Sequence, residues 1–300
     1  MTRTRQEEKL STPSWLDRAE YPFASHFFEV DAGRMHYVDE GTGRPILMVH
    51  GNPTWSFLYR HLIHRFSGTH RCVAPDHIGF GLSDKPGDWS YRPREHARNL
   101  AALVDALGLD DITVVVQDWG GPTGLSYCIE HPEKVSGLVV LNTWMWPVDD
   151  DWYYRAFSGF VGGPLGRFLI RRFNFFARVV MPGAYGDRRL LTPRIHAQYL
   201  GPLGSPRERT GSAVFPREII ASTPWLRSLW ERRESLSGKP ALIAWGMKDI
   251  AFREKELDTW IEALPGASVL RLPKAGHFVQ EEAREELCDA VKVFLDSLRR

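Results

Sequence analysis

The strongest constraint on this chain is its alternation of two hydrophobic periods. Residues 45–50 (Pro-Ile-Leu-Met-Val-His) form a short, continuous apolar run, and 112–116 is strongly β-branched. Runs of this kind become strands buried on both faces. Further short strands are expected at 71–75, 135–141, 240–245 and 268–272, with a hairpin over 27–38 turning at Asp31-Ala32-Gly33. Between them lie segments with helical spacing. Residues 94–107 place Ala97, Leu100, Ala101, Leu103, Val104 and Leu107 on one stripe, and 121–130, 253–264 and 280–298 also read as helices. This order predicts an α/β fold: a mostly parallel central sheet with helices on both faces.

The pattern breaks after the strand at 135–141. Residues 147–229 are rich in Phe, Trp, Tyr, Arg and Gly, contain helical stretches such as 165–180, and hold no convincing strand. A helical insertion between two core strands is the simplest reading. The expected organisation is a core of 1–146 and 230–300 with a helical cap of 147–229 over one end of the sheet. The length of 300 residues suits one core with a sizeable insertion.

Charge excludes several partners. A net charge of +1 with no basic block offers nothing to a polyanion, so no nucleic acid partner is expected. No apolar run approaches the roughly 20 residues of a membrane span, and no membrane partner is expected. The first ten residues are charged and polar, unlike a signal peptide. Cys72, Cys128 and Cys288 lack paired spacing and read as buried, reduced thiols of a cytoplasmic protein. Neither metal nor cofactor is expected. The Gly-Phe-Gly within 76–84 lacks the third Gly and the Lys of a phosphate loop.

The chemistry centres on Asp118, in Val-Val-Val-Gln-Asp-Trp-Gly-Gly at 114–121. An acid directly after a β-branched strand, followed by Trp119, Gly120 and Gly121, resembles a strand-to-helix elbow that needs small neighbours. The Gly-x-Ser-x-Gly elbow has the same design; here Asp118 is the central residue and Val116 fills the leading small position. Such a turn lifts its side chain at the C-terminal edge of the sheet, where open α/β sheets bind ligands. The competing reading makes Asp118 an ordinary helix N-cap. His50-Gly51-Asn52-Pro53 follows a buried strand and could supply an oxyanion-hole N–H or be a plain turn. Asp249 stands just past a strand in Trp-Gly-Met-Lys-Asp. His277 stands in a Gly-flanked loop before the last helix, 28 residues later. Nucleophile, acid and His thus occur in a catalytically sensible order.

Together, His50 to Pro53, Asp76 to Asp84, Gln117 to Gly121, Trp245 to Asp249 and Gly276-His277-Phe278 resemble the haloalkane dehalogenases, enzymes of the α/β-hydrolase fold. The likeness runs over about 27–298 and is weaker in the cap. It implies a triad of Asp118, His277 and Asp249, with halide held by the Asn52 amide and the Trp119 indole. It also implies a small apolar halogenated substrate, water as co-substrate and halide as product. Some members carry the acid as Glu just after the strand ending at Leu141. This chain has Asn142-Thr143-Trp144 there, so Asp249 is the acid. That combination resembles the third subfamily, whose members tend to self-associate, so a homo-oligomer is expected.

The reaction fits these residue types. Displacement of halide needs an anionic nucleophile and stabilisation of a departing anion, not a proton donor. Epoxide hydrolases share much of this pattern but need two cap tyrosines, for which Tyr153, Tyr154, Tyr185 and Tyr199 are candidates. A catalytically silent binding protein would show a damaged triad, and a luciferase-like oxygenase would carry the early Glu. The aromatics Trp144, Trp146, Trp152, Phe157, Phe160, Phe168 and Phe175 could line an apolar cavity or simply pack the cap.

Overall fold

The computed structural model describes residues 12–298, so the polar segment of the first ten residues lies outside the described residues. One sheet contains β1 His26–Val30, β2 Gly33–Glu40, β3 Pro45–Val49, β4 Arg71–Pro75, β5 Ile112–Asp118, β6 Val135–Thr143, β7 Ala241–Gly246 and β8 Ser268–Leu272. Its spatial order is β1-β2-β4-β3-β5-β6-β7-β8. The pairs β1–β2 and β2–β4 are antiparallel and the rest are parallel. Side chains alternate across the strands. Val114 and Val116 of β5 therefore pack on one side, with Leu100 and Leu125, while Val115 packs on the other, with Leu62 and Phe294.

Helices α1 Arg60–Phe66, α2 Pro93–Ala106 and α3 Gly120–Glu130 precede β6. Between β6 and β7 run α4 Trp152–Val161, α5 Pro164–Phe173, α6 Met181–Gly183, α7 Pro193–Leu200, α8 Thr210–Ala221, α9 Thr223–Glu231 and α10 Glu234–Ser237. Then come α11 Glu254–Ala263, α12 Val279–Glu282 and α13 Arg284–Ser297.

Three departures from the sequence reading have physical causes. Helix α1 was not legible because Arg60 is buried on it, its guanidinium 2.6 Å from the Glu281 carboxylate. The stretch 165–180 is not one helix. Asn174 adopts φ +56°, which its short polar side chain tolerates, and a π-helical turn follows at Phe176–Val180. The closing helix breaks at Ala283. The break leaves Glu282 to accept the backbone N–H groups of Gly186, Asp187 and Gly276, which fixes the loop carrying His277. The three cysteines are buried and free.

A cluster of buried histidines anchors the loops after β3 and β4. His50 Nε2 accepts the His77 backbone N–H at 2.9 Å, and His77 Nε2 lies 3.1 Å from the His50 carbonyl. Burial lowers the pKa of His50 and His77 and pushes His96 down to about 3. These rings stay neutral when folded, whereas unfolded imidazoles take up protons below about pH 6.5. Their stabilisation is complete above that value and is lost as pH falls below it. His96 alone should remove about 2 kcal/mol at pH 5 relative to neutral pH. Urea unfolding at the two pH values checks this; equal or greater stability at pH 5 would refute it.

Candidate active site

Strand β5 ends on Asp118, whose φ of +51° turns the chain sharply into α3. The turn is possible because the backbone passes very close to its neighbours. A Cβ on Gly120 would lie 2.0 Å from the Val49 carbonyl oxygen, and one on Gly51 would lie 2.1 Å from Asp118 Oδ1. The Thr143 hydroxyl donates to the Asp118 carbonyl and braces the elbow from β6. The Asp118 side chain does not cap α3, whose N-cap position is Trp119. Instead Oδ1 accepts the Asn52 backbone N–H at 2.7 Å. Burial raises the Asp118 pKa, while His277 and the backbone N–H groups of Trp119 and Asn52 pull it back. A carboxylate held by two backbone donors yet poorly hydrated is a competent nucleophile.

His277 faces this carboxylate, with Nε2 3.8 Å from Asp118 Oδ2 and Nδ1 2.8 Å from Asp249 Oδ2. Burial disfavours its charged form, but the Asp249 and Asp118 carboxylates prevail and raise its pKa. Asp249 is fixed on both oxygens: Oδ1 accepts the Ala251 N–H at 2.7 Å, and Oδ2 accepts the Asn142 amide at 2.9 Å.

Asn142 therefore occupies the stretch where an early carboxylate is lacking, and it grips the late one. It can do so because the β5–β6 register slips there, pairing Gln117 with Leu141 and Asp118 with Thr143. The skipped Asn142 has φ +23° and bonds the Gly246 N–H and carbonyl as well as Asp249. Bulges beside active sites commonly re-aim a side chain in this way. Gln117 is a second residue the sequence reading left without a role. Its Nε2 lies 2.8 Å from His277 Nε2 and donates to the His277 carbonyl at 3.2 Å. The motif displayed both residues, but only the register slip and the fold bring them to the triad.

Asn52, Asp118, Trp119 and His277 meet in a cavity of about 130 Å³. Asn52 Oδ1 is buried without a partner, and the Trp119 indole N–H has no acceptor among the described residues. Of the seven candidate aromatics, Trp144 and Phe157 line this cavity. Trp146 packs on Trp230 and Trp260, Phe175 packs in a cap cluster, and Trp152, Phe160 and Phe168 are exposed. Tyr153 and Tyr154 also line it, but their hydroxyls donate to the carbonyls of Ile250 and Ala251, at 2.6 and 2.9 Å. Tyr199 is committed to Glu281. Tyr185 Oη is buried without a partner among the described residues, outside the cavity lining. No group of three or more His, Cys, Asp or Glu among the described residues could hold a metal ion.

The model of the alpha/beta hydrolase fold matches residues 44–169. Over 273 residues the chain is 42% identical to haloalkane dehalogenase 2 of Mycobacterium bovis, covering 90% of this chain and 94% of that protein. The chain belongs to the haloalkane dehalogenase family. The crystal structure of the haloalkane dehalogenase DatA from Agrobacterium tumefaciens C58 superposes with a TM-score of 0.84 at 26% identity, covering 94% of this chain and all of that one. The family neighbourhood is wider than one reaction. A cis-3-alkyl-4-alkyloxetan-2-one decarboxylase of Shewanella oneidensis is 34% identical over 289 residues, covering 91% of this chain and 89% of that protein.

Proposed function

We propose that this protein hydrolyses haloalkanes to alcohol and halide through an ester on Asp118, with 147–229 acting as a cap over the core of 1–146 and 230–300. The observation that carries this reading is the pair of N–H donors lining the cavity beside the carboxylate, the Asn52 side-chain NH₂ and the Trp119 indole. Neither the Asn52 side-chain NH₂ nor the Trp119 indole N–H donates to an acceptor among the described residues, and an anion of modest size could accept from both at once. An Asp118 oxygen attacks carbon in line, and the carbon–halogen bond breaks with its electron pair leaving on halide. Water then attacks the ester carbonyl carbon as His277 Nε2 takes its proton. The oxyanion forms against the backbone N–H groups of Asn52 and Trp119. Collapse expels the alkoxide, which recovers the proton from His277. Asp249 orients the ring and balances the imidazolium.

The cavity's 130 Å³ favours a short substrate. Cavities of about 150 Å³ take benzene, so the site suits roughly six heavy atoms. The likeness to the decarboxylases supports a second reading, attack by Asp118 on a strained lactone with release of CO₂. The epoxide reading gains no support from Tyr153 and Tyr154, whose hydroxyls are already committed.

Halide, CO₂ and diol release, measured on 1,2-dibromoethane, a 3,4-dimethyl oxetan-2-one and styrene oxide, separate the three. Bromide release alone is the expected result; CO₂ or diol without bromide overturns it. Trp119→Phe removes one halide donor and should cost about 10²–10³ in kcat. It should also weaken bromide binding by calorimetry. Unchanged binding would remove Trp119 from the halide site.

A further inference from the structure

The outer face of the cap carries a surface that this reaction does not use. Between residues 152 and 186 stand five arginines, Arg155, Arg167, Arg171, Arg172 and Arg178, with no Asp, Glu or Lys, in a chain whose net charge is +1. All five are exposed, and none is ion-paired among the described residues. Of the acids that flank the segment, Asp149 pairs with Arg227, Asp151 with Arg253 and Lys255, and Asp187 with Arg189, while Asp150 makes no ion pair among the described residues.

Exposed apolar side chains collect on the same segment. Trp152, Phe160, Leu165, Phe168, Phe173 and Val179 are six of the nine large hydrophobic residues exposed among those described. Helix α5 is amphipathic the wrong way round for a core helix. It buries only Gly166 and Ile170, while Leu165, Phe168 and Phe173 are 59%, 57% and 53% exposed. The Phe168 and Phe173 rings meet each other edge-on at 6.0 Å. Beside them a cleft of about 490 Å³ opens between α4, α5 and α8, lined by Arg155, Arg167 and Arg217.

We propose that this face docks on the surface of an anionic phospholipid bilayer. Phe160, Leu165 and Phe168 enter the acyl boundary, and the cleft arginines receive a lipid phosphate. Arginines alone would suit any polyanion and aromatics alone any apolar surface; the two interleaved on one helix suit a charged interface above hydrocarbon. A symmetric contact between two copies would set arginine against arginine. A nucleic acid has no apolar phase for the exposed side chains. No described helix is long and apolar enough to cross a membrane, but a helix lying on one needs no span. The absence of a membrane partner expected from the sequence rested on the lack of a span alone. One helical layer separates this face from the catalytic cavity, since α4 turns Phe157 inward and Phe160 outward.

The test is co-sedimentation of the full chain with vesicles of equal parts phosphatidylcholine and phosphatidylglycerol, beside pure phosphatidylcholine. Binding to the mixed vesicles, weakened by salt, is expected. Arg155→Glu with Arg167→Glu should lower the bound fraction roughly tenfold or more. Phe168→Ser alone should lower it at unchanged charge, with thermal melting as the control for folding. Three results overturn the proposal: no preference for anionic vesicles, binding undiminished in both variants, or an assembly of copies that Phe168→Ser dissolves in the absence of vesicle binding. Retention on DNA without vesicle binding would do so too.

Discussion

His277→Phe should stop the enzyme at the alkyl-ester, with mass spectrometry showing the substrate's alkyl group on the peptide that contains Asp118. The aromatic ring can be kept because Phe252 and Phe278 already pack on His277, at ring distances of 5.6 and 4.7 Å. The proton acceptor is lost, together with the ring's contacts to Asp249 and Gln117. Displacement of halide needs no base, so one equivalent of halide should appear in a burst, while steady turnover falls by roughly 10⁴. Turnover with an unmodified Asp118 would sink the covalent scheme, as would an adduct on another residue.

The native enzyme should show the same separation as a function of pH. In the free enzyme burial opposes a charged His277, but Asp249 and Asp118 raise its pKa above 6.5. Alkylation removes the Asp118 charge, so the pKa that governs hydrolysis lies below that of the free enzyme. Turnover is lost as pH falls through this value. The halide burst persists until Asp118 itself is protonated, at a pH that burial moves up.

What could be read from the sequence, and what could not, divides along physical lines. Strands β3 and β5 were legible because a doubly covered strand must be apolar without interruption. The proposed triad of Asp118, Asp249 and His277 could be singled out because each sits in a short motif at a strand end. Helix α1 was hidden by a buried ion pair, since Arg60 looks like a surface residue until Glu281 arrives from 221 positions away. Asn142 was visible only as a missing carboxylate. Its grip on Asp249 depends on a one-residue slip between β5 and β6, which no local pattern encodes. Trp152, Phe160 and Phe168, read as either cavity wall or cap packing, are instead exposed. Pocket walls, cores and interaction surfaces draw on the same residue types, and only exposure separates them.

Asp118→Gly should be inactive, its halide release at least about 10⁴-fold down and no adduct formed, and yet more stable than Asp118→Ala. The proposed nucleophile combines two unfavourable features. Its φ of +51° belongs to the left-handed region, which glycine adopts freely, which costs alanine about 1–2 kcal/mol, and which a short polar side chain such as Asp tolerates at less than that. Its carboxylate is buried, and burial alone raises its pKa. Against this, the variant leaves the N–H groups of Asn52 and Trp119 without their acceptor, at a cost of about 1 kcal/mol each where water can enter the cavity, so its stability stays near that of the native protein. The gain over Asp118→Ala is expected to be about 1 kcal/mol in urea unfolding. Asp118→Ala keeps the strain and loses the hydrogen bond, so it should be less stable than Asp118→Gly although equally inactive. If Ala and Gly prove equally stable, the elbow is relaxed rather than strained, and the left-handed turn at Asp118 is not what holds the carboxylate in place for attack.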